Sequence, residues 1–293
     1  MIVLVVGPRS MLAQELLPCL QQAGFAVVGR GRPALDLTQK ASIHAVFEEV
    51  RPDICINTAA YTAVDKAESD AVGAFAVNRD GVASLAEACR AVAVPLLHLS
   101  SDYVFAGTAS RPYREEDPTA PLGIYGRSKW EGEEAVRAIY REHLIVRTAW
   151  LYGHHGTNFV KTMLRLARER QALQVVHDQH GCPTWTRDLA GALTVMCQRL
   201  AHAHDVSLWG TYHFCGAGQT TWYDFARAIF ADVSPSETLR VERVEPIPTT
   251  AYPTPAQRPA WSVLDCAKIQ TVFGITRRPW RESLHDCMQE WPQ

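Results

Sequence analysis

The fold is decided by the opening stretch Ile2-Val3-Leu4-Val5-Val6-Gly7-Pro8-Arg9-Ser10-Met11-Leu12-Ala13. Residues 2–6 are apolar and mostly β-branched, which predicts a buried strand. After the turn at Gly7, leucines at positions 12, 16, 17 and 20 recur at the spacing of a helix. A strand, a tight glycine turn and a helix in this order are typical of a nucleotide-binding fold, in which the start of the helix faces a phosphate.

The same alternation of apolar runs and helical patterns continues through the first half of the chain. Further strands are predicted at residues 25–29, 54–57, 95–100 and 144–147, and helices at residues 11–23, 40–51, 70–93 and 124–142. Continuous apolar strands that alternate with helices predict a parallel sheet covered on both faces, because parallel strands need crossover connections. The predicted fold class is therefore α/β, with a Rossmann-like, doubly wound parallel sheet.

The second half of the chain is less regular. Helices are predicted at residues 158–170, 187–202 and 222–231, strands at residues 173–177 and 211–215, and two short helices near the end. Residues 246–259 hold five prolines and predict an extended or turning loop, because proline is excluded from helix interiors. No linker separates the halves, so we expect the second half to be built onto the first.

Composition excludes several classes of protein. The chain has 293 residues and a net charge of −2, and 47% of the residues are hydrophobic, as in ordinary globular proteins. The near-neutral balance gives no electrostatic reason to expect a nucleic-acid partner. No apolar run reaches the roughly 18–20 residues of a membrane span, so no membrane partner is expected. The eight cysteines are scattered without a CxxC pair, which favours free thiols and a cytoplasmic location.

The glycine turn is an incomplete phosphate-binding fingerprint. A dinucleotide fold uses three glycines: for the turn, for close approach of the pyrophosphate and for helix–strand packing. Only Gly7 is present here, and the small residues Ser10 and Ala13 occupy the other two places. An ordinary strand-to-helix turn is compatible with the same residues, so this stretch alone leaves both interpretations open.

Residues after the second and third strands are candidates for contact with a dinucleotide. Arg30, with Arg32 close by, stands where an NAD-binding fold commonly has an acidic residue, and a guanidinium there could pair with a 2′-phosphate. This favours NADPH over NADH, although a solvated loop arginine is the alternative. Asp36 and Leu37 could flank an adenine, and the small residues at 57–61 suit backbone packing against a cofactor.

A tyrosine and a lysine lie four residues apart at the start of a predicted helix. Tyr125 and Lys129 therefore share one helix face. The ordinary tyrosine pKa near 10 is too high for efficient proton transfer, and a neighbouring ammonium would lower that pKa. A hydroxyl of Ser100 or Ser101, after the fourth strand, could hydrogen-bond a carbonyl group that is being reduced. Such pairs also occur by chance, but the order of turn, serine and helix favours an acid–base site.

Longer motifs span nearly the whole chain, at residues 51–57, 61–68, 99–105, 125–129, 147–152, 158–164, 178–184 and 251–259. With these motifs the chain resembles the extended short-chain dehydrogenase/reductases and, within them, the dTDP-4-dehydrorhamnose reductase family. The Tyr/Lys pair marks the superfamily, whereas the stretches 64–68 and 251–255 point to the reductase family. The resemblance implies an NAD(P)-binding Rossmann domain at residues 1–150. It also implies a smaller, mixed sugar-nucleotide-binding region at residues 151–293, interleaved with that domain.

The resemblance implies the reduction of dTDP-4-dehydro-6-deoxy-L-lyxo-hexose by NADPH or NADH to dTDP-L-rhamnose, a precursor of cell-envelope polysaccharide. Tyr125 would protonate the oxygen at C4 of the sugar, and Lys129 would lower the pKa of Tyr125 and hold the nicotinamide ribose. Ser101 stands where the family usually has threonine. The other implied contacts are Gly7, Ser10, Met11 and Leu12 at the pyrophosphate, Arg30, Asp36 and Leu37 around the adenosine, Ala60, Tyr61 and Thr62 against the cofactor, and Ser101, Asp102, Trp150 and Arg258 on the sugar nucleotide.

The resemblance also bears on metal ions and oligomeric state. Some family members are described as dimers bridged by Mg²⁺ on carboxylates; Glu15 and Glu290 fit two of those positions, but Arg187 stands at the third. A cation is a poor neighbour for Mg²⁺, so we expect no bound metal and a monomer or a weak homodimer.

Two alternative functions stay open at this point. One is an epimerase or dehydratase of the same superfamily, which retains NAD through its cycle. The other is a non-catalytic subunit of the kind that regulates methionine adenosyltransferase. The complete set of Ser101, Tyr125 and Lys129 argues against the second alternative, because a binding subunit does not need all three.

Overall fold

The computed structural model describes residues 1–202, 206–233 and 239–291. Its strands are β1 (Ile2–Val6), β2 (Ala26–Arg30), β3 (Ile54–Asn57), β4 (Leu96–Ser101), β5 (His143–Thr148), β6 (Leu151–Tyr152), β7 (Ala172–Val176), β8 (His180–Gly181), β9 (Thr184–Trp185), β10 (Gly210–His213), β11 (Thr220–Thr221) and β12 (Arg243–Ile247). Its α-helices are α1 (Met11–Gln22), α2 (Lys40–Val50), α3 (Val64–Ala67), α4 (Ala71–Phe75), α5 (Gly81–Ala91), α6 (Ile124–Ile139), α7 (Phe159–Glu169), α8 (Thr186–His202), α9 (Trp222–Ala231), α10 (Ala267–Phe273) and α11 (Trp280–Gln289).

Six strands of the described residues form one sheet in the order β10-β5-β4-β3-β1-β2, and every neighbouring pair is parallel. The chain passes from β1 to β2 on one side and then crosses to β3 on the other side, so the strand order reverses at β1. In open parallel sheets, the carboxyl ends of the strands beside such a reversal enclose a crevice that binds ligands. The topology therefore predicts a ligand site beyond the ends of β1 and β3.

Helices cover both faces of this sheet, as the alternation of side chains along β1 shows. Val3 and Val5 pack in the apolar cluster that contains the residues of α1 and α8, whereas Leu4 and Val6 pack with those of α2, α5 and α6. All four valine and leucine side chains are buried, because successive residues of a strand point to opposite faces. A third apolar cluster, formed largely by α7, α9 and α11, lies in the C-terminal part of the chain.

The predicted fold class is confirmed, and β1, β3 and α9 have the predicted bounds. The helix predicted over residues 70–93 consists of α4 and α5, joined by the π-helical segment Ala76–Asp80. Pro246, predicted to lie in a loop, is part of β12, which pairs in parallel with β7 in a two-stranded sheet. Proline is tolerated there because both strands of such a sheet have a free edge.

The strand predicted at residues 211–215 belongs to the main sheet, although it comes from the second half of the chain. It forms β10, which pairs with β5 at the edge of the main sheet. Residues from the second half thus complete the sheet that the first half begins. Within the described residues, no helix has the length and apolarity needed to cross a bilayer.

Candidate active site

A cavity of about 1000 Å³ opens at the carboxyl ends of the parallel strands. Its size is at the upper end of ligand sites, which suits a dinucleotide together with a second ligand. Most of the predicted site residues line it, namely Gly7, Ser10, Met11, Leu12, Asp36, Leu37, Ala60, Thr62, Ser101, Asp102, Tyr125, Lys129 and Trp150.

The turn after β1 brings the start of α1 to the cavity. Gly7 has a φ of +82°, and a Cβ there would lie 2.9 Å from the Cα of Ala59, so conformation and space both require glycine. Ser10 caps α1: its Oγ accepts a hydrogen bond from the Ala13 N–H at 3.0 Å and donates one to Thr58 Oγ1 at 2.9 Å. The Ser10 hydroxyl therefore stabilises this turn by hydrogen bonds, at a place where the complete fingerprint has a glycine.

Two elements position the predicted catalytic side chains. Helix α6 carries Tyr125 and Lys129 in its first two turns, and β4 ends at Ser101. The Lys129 ammonium donates to the Leu99 carbonyl oxygen at 2.6 Å, which ties α6 to β4. The Ser101 hydroxyl also acts on Tyr125, because it lowers the pKa of that phenol. Residues separated in sequence are thus held together at one wall of the cavity.

Burial controls the electrostatics of this group. Burial raises the pKa of Tyr125 to about 12; the neighbouring Ser101 hydroxyl opposes the rise and the charge of Asp102 adds to it. Burial lowers the pKa of Lys129 to about 8, and the charge of Glu133 opposes that change. Lys129 was expected to lower the pKa of Tyr125, but burial determines the direction of the shift and Lys129 is not among the groups that act on that pKa. Tyr125 consequently keeps its proton at neutral pH, as a proton donor must.

Asp102 is a buried carboxyl group in the wall of the cavity. Its side chain accepts a hydrogen bond from the Ser101 hydroxyl at 3.0 Å. Burial raises the pKa of Asp102 to about 6, against the opposing hydrogen bonds from Ser262 and Ser101. The group is therefore mostly ionised at pH 7, and its negative charge favours the protonated form of the neighbouring phenol.

The arginine predicted at the 2′-phosphate does not reach the cavity. Arg30 is the last residue of β2, and its guanidinium donates to Glu49 at 2.6 Å. Arg32 and Arg9 line the cavity instead. Sequence reasoning identified a basic stretch at the correct strand end, but the direction of each side chain depends on the turn that follows β2.

Two other predicted residues are turned toward partners within the protein. The Tyr61 hydroxyl donates to Asp70 at 3.0 Å. The Arg258 guanidinium donates to Asp65 at 2.8 Å and holds the proline-rich loop against α3. Arg258 still lies near the site. Its positive charge opposes the rise that burial causes in the pKa of Tyr103, and Tyr103 lines the cavity.

Trp222 is a cavity residue that sequence analysis missed. It was predicted only as the first residue of the helix at 222–231, but Trp222 lines the cavity and stacks on Trp150, with ring centroids 3.4 Å apart and planes 6° from parallel. An amphipathic pattern identifies the inward face of a helix but not whether that face meets other side chains or a cavity. The sequence offered one signal for a place in the site, which is that Trp222 is the first residue of its helix.

An arginine fills the position considered for a metal ion. The Arg187 guanidinium lies between two carboxylates, 3.4 Å from Glu15 and 2.5 Å from Glu290. It also lies over the ring of Trp185, 4.7 Å from the centroid. No group of three His, Cys, Asp or Glu side chains in the described parts of the chain is placed to hold a metal ion. The residues do not fit Mg²⁺, because a positive charge already occupies the space between the carboxylates.

In contrast to Mg²⁺, a nicotinamide dinucleotide fits the residues that line the cavity. The Gly7 turn and the first residues of α1 line the cavity, and the start of α1 directs backbone N–H groups toward anions. Near the catalytic group, Thr148 Oγ1 is buried without a hydrogen-bond partner among the described residues. A ligand with polar groups at both places would satisfy these atoms.

A parallel sheet with a phosphate turn after its first strand, and a Tyr-x-x-x-Lys helix facing that turn, is the arrangement of extended short-chain dehydrogenase/reductases. Fold and site assign the chain to this class. Comparison with known families narrows the assignment, because the family described as "RmlD substrate binding domain" matches residues 1–292. The chain belongs to this family of dTDP-4-dehydrorhamnose reductases.

Individual relatives agree with the family assignment. A dTDP-4-dehydrorhamnose reductase of Sinorhizobium fredii is 47% identical over 95% of this chain and 94% of its own length. The crystal structure of a dTDP-4-dehydrorhamnose reductase from Clostridium acetobutylicum is 37% identical, covers 99% of both chains and has a TM-score of 0.91. The Bacillus anthracis dTDP-4-dehydrorhamnose reductase, solved in complex with NADP, is 36% identical over 99% of both chains, with a TM-score of 0.89.

Proposed function

We propose that this protein reduces the C4 keto group of dTDP-4-dehydro-6-deoxy-L-lyxo-hexose, with NADPH or NADH as reductant, and releases dTDP-L-rhamnose. One observation carries the proposal: Tyr125, which keeps its proton at neutral pH, lies with Ser101 in the same cavity as the Gly7 turn. The relatives with near-complete coverage are reductases of this sugar nucleotide, which favours the reductase over the epimerase, dehydratase and regulatory-subunit alternatives.

The residues of the site have distinct roles in this reduction. When bound, NADPH would supply a hydride for the reduction at C4. Tyr125 donates its phenolic proton to the oxygen at C4 as the carbonyl double bond becomes a single bond, so the product is an alcohol. Ser101 hydrogen-bonds the same oxygen, and Lys129 holds the ribose and favours the phenolate that Tyr125 leaves behind. Asp102 and Trp150 contact the sugar.

The cofactor would occupy the side of the cavity near β1 and β2. Ser10, Met11 and Leu12 are proposed to line the pyrophosphate, Asp36 and Leu37 the adenosine, and Ala60 and Thr62 the middle of the cofactor. For the 2′-phosphate of NADPH we now propose Arg32, which lines the cavity, in place of Arg30, which pairs with Glu49. A guanidinium at this place favours NADPH over NADH.

The sugar nucleotide would bind between the two parts of the chain. Residues 1–150 are proposed to hold the cofactor, and the region from 151 onward to hold the sugar nucleotide. For the diphosphate we propose Arg258, which would exchange its bond to Asp65 for one to the ligand. Such an exchange is feasible because Asp65 is 43% exposed and can be solvated when Arg258 leaves it.

A spectrophotometric assay of the purified protein tests the proposed reaction directly. Purified protein is mixed with the 4-keto sugar nucleotide and NADPH or NADH in parallel, nicotinamide absorbance is followed, and the product is identified by mass spectrometry. We expect dTDP-L-rhamnose in amounts equal to the cofactor consumed. No turnover with either cofactor would contradict the proposal, and cofactor that co-purifies and is not consumed would favour an epimerase or dehydratase.

The pH dependence of this activity should reflect Lys129. Its pKa, lowered by burial to about 8, leaves the ammonium charged at neutral pH and uncharged above that value. We therefore expect kcat/KM for the reduction to fall as pH rises through about 8, while Tyr125, with a pKa of about 12, still holds its proton. The weak residual activity of Lys129→Met should lack this alkaline limb; an unchanged limb in that variant would assign it to another group.

The Glu15–Arg187–Glu290 contact predicts independence from metal ions. We propose that the protein is a monomer or a weak homodimer. We expect EDTA to leave its Tm, its activity and its elution volume in size-exclusion chromatography unchanged. Arg187→Glu would place a third carboxylate beside Glu15 and Glu290, so Mg²⁺ should then raise the Tm by about 2 °C or more. A loss of stability or assembly when the unaltered protein is treated with EDTA would contradict this view.

A further inference from the structure

Trp150 has a strained backbone conformation. Its φ is +47°, in the left-handed region that bulky side chains rarely adopt. The conformation is held because the Trp150 carbonyl oxygen accepts a hydrogen bond from the Thr184 N–H at 3.2 Å, and the next two residues, β6, pair with β9. Strained residues persist where the surrounding structure over-determines them, often at ligand sites. Trp150 lines the cavity, so the direction of its indole is a candidate functional property.

Two neighbours fix the Trp150 indole. A Cβ on Gly181 would lie 2.3 Å from Trp150 Cε2, so the indole is packed directly against the backbone of β8. The Trp222 indole stacks on Trp150 with a centroid distance of 3.4 Å and an interplanar angle of 6°. The Trp150 ring therefore has little freedom to rotate while Trp222 stays in place.

Trp222 is itself anchored by a chain of hydrogen bonds. Its indole N–H donates to Gln179 Oε1 at 3.2 Å, and the buried Gln179 donates from Nε2 to Thr249 Oγ1 at 3.1 Å. Thr249 in turn donates from its hydroxyl to Asp178 at 2.6 Å and from its backbone N–H to the same carboxylate. The anchor thus runs from the start of the proline-rich loop to the cavity wall, and none of its polar members belongs to the catalytic group.

We propose that Trp222 is a positioning residue that holds the Trp150 indole in the orientation that borders the sugar. The inference rests on the proposed function, because it takes the hexose of a nucleoside diphosphate sugar as the ligand at Trp150. A 6-deoxy sugar has a methyl group in place of a hydroxymethyl group, and an indole wall can cover such a group without leaving a hydroxyl unpaired. The affinity for the sugar nucleotide, and not that for the cofactor, should then depend on Trp222.

A purely structural role for Trp222 leads to a different expectation. Trp222 also packs on Phe159, with centroids 4.6 Å apart, as a core residue would. If packing were its whole contribution, its loss would lower the Tm and leave the KM values of the folded enzyme unchanged. Trp280 offers a matched control, because it packs on Phe225 in the same apolar cluster but is not among the residues that line the cavity.

The test compares Trp222→Ala, Trp222→Phe, Gln179→Ala and Trp280→Phe in the full-length enzyme. Steady-state kinetics give kcat and the KM for each substrate, and quenching of tryptophan fluorescence by dTDP-L-rhamnose gives binding without turnover. For Trp222→Ala we expect the KM for the sugar nucleotide and the Kd for dTDP-L-rhamnose to rise about tenfold, the range of one aromatic stacking contact. The KM for NADPH should change less than about twofold. Trp222→Phe keeps a flat ring and should restore most of the affinity.

Other outcomes would overturn the inference. An equal rise in KM for both substrates, or the same rise in Trp280→Phe, would show a general packing defect. If Trp222→Ala does not fold, Gln179→Ala decides, because it retains both indoles and removes only the anchor; an unchanged KM for the sugar nucleotide in that variant contradicts the proposal. Turnover by the unaltered enzyme is measured first, so a failure of the proposed function is seen separately as its inactivity.

Discussion

Replacing Tyr125 by Phe is expected to lower kcat by about 10²–10⁴-fold, the usual contribution of a positioned proton donor. The substitution removes the hydroxyl that would protonate the C4 oxygen, while the ring can keep its edge-to-face contact with Tyr103. The cofactor contacts proposed for the turn after β1 are untouched, so the Kd for NADPH should stay within about twofold of the original value. Stopped-flow measurement of a single turnover, with a separate cofactor titration, checks both statements.

A second Tyr→Phe substitution serves as the control. Tyr152 is fully buried outside the cavity, and its hydroxyl has no hydrogen-bond partner among the described residues. Removing that hydroxyl should leave kcat and stability nearly unchanged, because it breaks no bond. Near-normal activity of Tyr125→Phe would show that another group donates the proton, and the proposed roles of Ser101 and Lys129 would then need revision as well.

Replacing Glu133 by Ala is expected to lower the free energy of unfolding by about 3–5 kcal/mol, the usual cost of breaking a buried ion pair. Glu133 is fully buried and accepts two hydrogen bonds from Arg147, at 2.9 Å and 2.6 Å, and one from Arg137 at 2.8 Å. Arg147 is itself only 2% exposed, so the variant leaves a guanidinium in the interior without its carboxylate. Urea unfolding monitored by circular dichroism measures the loss.

The neighbouring Glu134 provides the control for this experiment. It pairs with Arg137 on the same helix but is 53% exposed, so Glu134→Ala should cost no more than about 1 kcal/mol. A loss in Glu133→Ala as small as that in Glu134→Ala would show that the Arg147 guanidinium finds other partners.

The Glu133 contribution to stability should also depend on pH. Burial opposes ionisation of Glu133, but the hydrogen bonds and charge of Arg147 outweigh it and hold the pKa below its ordinary value. A carboxyl group with a lowered pKa stabilises the fold fully above its unfolded value of about 4.3, and this contribution is lost as the pH falls through the folded value. The difference in stability between the original protein and Glu133→Ala should therefore shrink in acid.

Glu133 also links the fold to the catalytic group. Its negative charge opposes the lowering of the Lys129 pKa by burial. In Glu133→Ala the alkaline limb of the activity profile should accordingly move below pH 8, which a loss of stability alone would not produce. Lys129 follows Tyr125, and Glu133 follows Lys129, at intervals of four residues along α6, so one face of this helix carries the proposed catalytic pair and the carboxylate that keeps Lys129 charged.

Local patterns in the sequence were sufficient for much of the fold. The apolar run at residues 2–6, the following turn and the leucine spacing after it predicted β1 and α1, because strand and helix periods are set by the residues themselves. The same reasoning placed Gly7, Ser10 and Tyr125 at the strand ends and helix starts where the structure has them. Motifs of this kind are readable because each requires a particular backbone conformation or spacing over a few residues.

Contacts between distant segments could not be read in this way. Arg30 and Arg32 are equivalent in sequence terms, but only the tertiary structure turns the first to Glu49 on α2 and the second to the cavity. Trp222 has the same amphipathic setting as its core neighbours on α9, and its stacking on Trp150 depends on a contact between segments that lie far apart in the chain.

Local sequence patterns were enough to predict the class of fold, the order of the main strands and helices in the first half of the chain, and the residue types of the proposed catalytic group. Three features are visible only in the folded chain: β10 completes the sheet, Arg187 lies between Glu15 and Glu290, and burial sets the pKa of Tyr125 and Lys129. The physical reason is the range of the interactions. Periodicity and turn conformation act between near neighbours in the chain, whereas burial and charge pairing depend on every segment that surrounds a group in space.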